Sequence, residues 1–101
     1  MAQLTILYWR DIPAQVIARA GRRTAKRQLP ARFEQAIDRA AMQAKLTGTE
    51  AYLEQWRKSD PTDCGDDLEA AAEEAAAALE AAFTPEQLRD YVMNGGHTPR
   101  A

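Results

Sequence analysis

An α+β fold is what this chain predicts: a small N-terminal antiparallel sheet of two or three strands, packed against three or four C-terminal helices. Three observations carry it. Leu4–Trp9 is built from bulky β-forming residues. Breaks at Pro13 and Gly21 set off two more alternating runs. From Ala31 onward, apolar residues recur at helical spacing. A chain of 101 residues accommodates one domain over residues 1–96 and a flexible tail over 97–101.

The first strand carries Leu4, Ile6 and Tyr8 on one face and Thr5, Leu7 and Trp9 on the other. Apolar residues on both faces mark a central or well-covered strand. Pro13 has no backbone donor, so a turn is expected around it. Ala14–Ala20 is the second strand, with Val16, Ala18 and Ala20 on one face. Gly21 suits a turn with positive φ. Thr24–Leu29 alternates again and reads as a short, charged edge strand; a helix over Ala25–Leu29 is the competing reading.

Pro30 is placed to open a helix over Ala31–Leu46 as its first residue. Phe33, Ile37, Ala40, Ala41 and Ala44 form its apolar stripe, opposite Glu34, Asp38, Arg39 and Lys45. Gly48 is the expected stop. Thr49 is placed to cap a short helix whose face is Tyr52, Leu53 and Trp56, ending at Asp60-Pro61. Ser59–Asp67 reads as a solvated loop. Asp66 or Asp67 caps the next helix, with the stripe Leu68, Ala72, Ala75, Leu79 and Phe83. Thr84, Pro85 and Gln87 form a capping box for the last helix, stopped by Asn94-Gly95-Gly96. The expected core is Leu4, Ile6, Tyr8, Val16, Ala18, Phe33, Ile37, Leu53, Trp56, Leu79 and Leu88.

Composition excludes several function classes. Apolar residues make up 46% and charged residues 28%, a globular profile. No apolar run reaches the ~18 residues a spanning helix needs. The start of the chain lacks the basic region and cleavage site of a secretory signal, so a cytoplasmic location is expected, with no membrane partner. Cys64 is the single cysteine and His97 the single histidine, which cannot supply the ligands of a zinc site. The acids Asp60, Asp63, Asp66 and Asp67 do not follow the spacing of a calcium loop. No phosphate-binding glycine loop and no nucleophile elbow is present. Neither catalytic residues, nor a metal site, nor a cofactor is expected.

Charge is unevenly distributed. Residues 1–32 carry a net +6, and residues 33–101 a net −8. Trp9, Arg10, Arg19, Arg22, Arg23, Lys26 and Arg27 are therefore the candidate partner-binding residues. The competing reading leaves Trp9 covering a helix and sets the basic strand against the acidic helices of the same chain. The expected activity is a non-catalytic protein-interaction or accessory-subunit module, contacting a protein partner through this sheet. The alternative is nucleic-acid or phosphate-ligand binding through the same strand. A homodimer formed by edge-strand pairing also stays open.

The segment YWRDIPAQVIARAGRR, continued by KRQLPARFEQAIDRAAM, resembles a family of small bacterial proteins catalogued as "virulence factor". The similarity is densest over Leu4–Trp56 and weaker beyond it. In some bacteria a similar segment is joined to helical repeats and to a domain like those of iron–sulfur scaffold proteins. The resemblance implies an accessory or interaction role and brings no catalytic residues with it. The paired cysteines of an iron–sulfur scaffold are absent from this chain.

Overall fold

A computed structural model describes residues 2–46, 48 and 50–99. Its sheet comprises β1 (Gln3–Trp9), β2 (Ile12–Ala20), β3 (Arg23–Gln28), β4 (Trp56–Lys58) and β5 (Thr62–Asp63). The helices are α1 (Ala31–Gln43), α2 (Glu50–Glu54), α3 (Leu68–Ala82) and α4 (Pro85–Met93). The α+β class is as expected. The order is β3-β2-β1-β4, with β5 also on β1 and every pairing antiparallel. β1 is therefore central, as its two apolar faces predict.

The segment 24–29 is strand through Gln28, not helix: β3 pairs with β2 from Arg23↔Ala20 to Gln28↔Gln15. The sheet is larger than expected because β4 and β5 come from a stretch that reads as helix and loop. β4 continues past Gln55, where the short helix was expected to run on through Trp56. Three and two residues carry too little periodicity to be legible; pairing with β1 makes them strands. The β1–β2 turn lies at Arg10-Asp11 rather than around Pro13. Pro13 sits inside β2 at a register shift between Leu7 and Tyr8, an irregularity that tolerates a missing donor.

Helix boundaries follow local chemistry. Pro30 is the N-cap of α1 rather than its first residue, with φ −54° and ψ 158°. α1 stops at Gln43 rather than Leu46. Leu46 N–H bonds to Ala41 O and Lys45 N–H to Met42 O, a Schellman pattern in which Lys45 takes φ 59°. The left-handed residue expected at Gly48 is thus already present at Lys45, although Gly48 also has positive φ. The Thr49 cap falls outside the described residues. The Asp67 carboxylate accepts from Ala70 N–H at 3.1 Å and starts α3. The Thr84–Gln87 capping box starts α4 as the sequence predicts.

The core joins Val16, Ala18 and Ala25 of the sheet to Phe33, Ile37, Ala40 and Ala41 of α1, Leu68, Ala72 and Ala76 of α3, and Leu88 of α4. Leu4, Ile6, Trp56 and Leu79 are half-buried against it. Two expected core positions move. Leu53 is 66% exposed, because α2 is too short to turn it inward. Tyr8 is only half-buried, with the Arg57 guanidinium 4.6 Å from its ring centroid. Among the described residues no helix is long and apolar enough to cross a membrane.

Candidate functional site

The residues singled out for partner binding fall into two regions. The first is the corner between β1 and β2. Trp9 has 0% exposure and Ile12, its cross-strand partner, also 0%. The Trp9 indole N–H donates to Tyr52 O at 3.0 Å, and its ring lies 5.6 Å from that of Tyr52. Burial removes Trp9 from the expected contact surface and makes it part of the packing. A large aromatic side chain gains most where water is fully excluded.

Arg10 follows in a left-handed conformation, φ 53°, which bends the hairpin. Its Nε donates to Gln55 Oε1 at 3.1 Å and its Nη1 to Gly95 O at 2.7 Å. Its guanidinium carbon lies 5.2 Å from the Trp9 ring centroid. Arg10 is thereby committed inside the molecule and is not free for a partner.

Asp11 completes the corner. Its N–H donates to Gly96 O at 2.9 Å. One carboxylate oxygen accepts from Arg57 Nη2 at 3.1 Å. The other accepts from Thr98 N–H at 2.7 Å and Thr98 Oγ at 3.0 Å. Partial burial pushes the Asp11 carboxyl up, but the Thr98 and Arg57 contacts outweigh it, and the net effect is downward. Thr98, within the segment expected as a tail, is thus tied to the hairpin. Arg57 Nε also donates to Arg10 O at 2.9 Å. Side chains and backbone at Arg10-Asp11 therefore clamp β4 and the end of α4 to one hairpin.

The second region is the basic strand. Antiparallel register puts Val16, Ala18 and Ala25 on the core face, and Arg23 and Arg27 share that face at its rim. There they meet α3: Arg23 donates to Asp66 O at 3.1 Å, and Arg27 lies 3.5 Å from Glu69 and 3.9 Å from Glu73. Arg19, Thr24, Lys26, Gln28 and Lys58 are exposed on the opposite face. Gln3, Thr5, Ile17, Arg19 and Lys58 line a shallow hollow there. Arg19, Arg22 and Lys26 have no ion pair or side-chain hydrogen bond among the described residues. The basic cluster is thus divided: two cations face α3 and Asp66 ahead of it in the same chain, and three face solvent.

β3 is also an open edge. Among the described residues it pairs only with β2, and Leu29 N–H bonds to Ala14 O at 3.1 Å. That bond sets the alternation, so the backbone groups of Thr24, Lys26 and Gln28 point away from the sheet. No backbone hydrogen bond fills that side among the described residues. Among the described residues there is also no group of three or more His, Cys, Asp or Glu placed to hold a metal ion.

What the sequence did not indicate is the supporting set around the corner, Gln55, Arg57, Gly95, Gly96 and Thr98. The signal available was Gly95-Gly96 itself. A Cβ on Gly96 would lie 2.8 Å from Trp9 Cζ3, so the close approach to the indole requires glycine.

A family model described as virulence factor matches residues 7–92, most of the chain, and the chain belongs to that family. No curated protein and no solved structure matches it significantly.

Proposed function

We propose that this virulence-factor family member is a non-catalytic protein-interaction module, an accessory subunit that acts in the cytoplasm. Its contact surface is the exposed face and edge of β3 with the adjoining β2 end, not the Trp9-Arg10 corner. The observation that carries the reading is the group Arg19, Arg22 and Lys26, exposed and, among the described residues, without ion-pair partners beside an unfilled strand edge. Such an edge accepts an extended segment by backbone pairing, and the cations select an acidic one. Self-pairing is disfavoured, since each copy of β3 brings Arg23, Lys26 and Arg27 to the ladder.

The test is affinity purification of the full chain at physiological salt from cells that express it. A stoichiometric acidic partner is expected, and it is lost from a folded Arg19→Glu/Arg22→Glu/Lys26→Glu variant. Recovery of the chain alone, or a partner that binds this variant equally well, overturns the proposal. Strongly salt-dependent binding of oligonucleotides that the same variant abolishes would establish the phosphate-binding alternative instead.

A further inference from the structure

The helical layer holds a second concentration of positive charge, away from the sheet. α1 and α4 enclose a groove of about 240 Å³. Arg32 and Arg39 approach it from α1 and Arg89 from α4, with Gln35 between the two α1 arginines. Ala36, Leu88 and Val92 supply its apolar lining, and no carboxylate lines it among the described residues. Each helix contributes residues at i, i+3, i+4 and i+7, so the groove follows from the helical period.

The three guanidinium groups are not neutralised. None of them is in an ion pair among the described residues. Arg32 Nη2 donates to Glu80 O at 3.0 Å and Phe83 O at 3.4 Å, which fixes the side chain at the end of α3. Its Nε is buried without a hydrogen-bond partner. That nitrogen is sealed from solvent, so Arg32 acts on the groove through its unneutralised charge and not through Nε. The acids of α1 lie elsewhere: Glu34 and Asp38 line a separate cavity with Tyr52 and Trp56. Burial pushes the Tyr52 hydroxyl up there, and those two carboxylates push it further. α1 thus sorts its acids and bases onto different sides.

We propose that the α1–α4 groove is an anion site that takes a compact phosphate compound with at least two phosphoryl groups. Arginine forks bind phosphate oxygens in bidentate fashion, and three of them offset more charge than one monoanion carries. The groove is smaller than the ~300 Å³ at which drug-sized pockets begin, which selects a compact ligand. Arg39 and Arg89 hold the anion from opposite helices, and Arg32 adds its charge while its Nη2 caps α3.

Titration calorimetry of the full chain with inorganic pyrophosphate at low salt tests it. Saturable binding is expected, weakened at least tenfold in an Arg39→Gln/Arg89→Gln variant and unchanged in Arg19→Gln/Lys26→Gln. Both variants are at exposed positions, and thermal melts verify that they fold. Absence of saturable binding below 1 mM, or equal loss in both variants, overturns the site. The sheet-edge proposal is read separately by its own variant: partner capture that survives Arg39→Gln/Arg89→Gln leaves it intact whatever pyrophosphate does.

Discussion

The β1–β2 corner and the β3 strand carry similar residues and use them in opposite ways. At the corner, Arg10 is held by Gln55 and Gly95 and stacked beside a Trp9 with 0% exposure. On β3, the β2 end and the turn between them, Lys26, Arg19 and Arg22 have no such contacts among the described residues. An arginine whose donors meet carbonyl oxygens in a partly dry site is an architectural fastener. An arginine on a solvated edge costs little to keep and is free to meet something else. Residue type does not separate the two uses; the number of groups converging on the side chain does.

The comparison is broken most severely at Trp9. Trp9→Ala should destabilise the fold by about 3–5 kcal/mol, read by urea denaturation. A cost below about 1 kcal/mol would mean that the corner is not the fastener described. Gly96→Ala comes next, at about 2–3 kcal/mol. Its Cβ would meet the indole at 2.8 Å, and alanine disfavours the backbone angle of φ 91°. The two losses should not add, since both act on one contact.

Asp11→Asn should cost about 1–2 kcal/mol at neutral pH, because the Arg57 and Thr98 contacts lose their charge assistance. Its pH dependence sharpens the assignment. The folded-state carboxyl titrates below its ordinary value, so its contribution is fully present above about pH 3.9. It is lost as pH falls through the lowered folded value. Stability curves of wild type and Asp11→Asn should therefore converge on acidification below about pH 4. Parallel curves would mean that Asp11 is not the titrating group.

The smallest effect belongs to β3. Arg27→Gln should change stability by less than about 0.5 kcal/mol, since its contacts to Glu69 and Glu73 are long and solvated. The same measurement at high salt should erase the difference. A loss above about 1 kcal/mol would make β3 structural and remove the contrast with the corner.

Much of the fold is legible in the residues. Alternation marks β2 and β3, helical spacing marks α1 and α3, and Asp67 and Thr84-Pro85-Glu86-Gln87 mark two helix starts. Caps are local, satisfied within three or four residues, so sequence distance does not obscure them. β4 and β5 are illegible because a strand of two or three residues exists only through its partner. The candidate site was legible as charge and misread as contact at one end. Trp9 and Arg10 are interface residue types by composition, yet the groups that bury them, Tyr52, Gln55 and Gly96, lie more than forty residues away.

By itself, the sequence determined the class of fold, the central place of β1, the N-caps of α3 and α4 and the lopsided charge. Each follows from periodicity or from side chains acting on their own backbone. Tertiary structure alone decided which cations are consumed and which are free. It brought Asp66, Glu69 and Glu73 to Arg23 and Arg27, left Arg19, Arg22 and Lys26 in solvent, and set Arg39 against Arg89 across two helices. The reason is range. A charge acts on whatever lies within a few ångströms, and for this chain those neighbours are set by packing and not by adjacency in sequence.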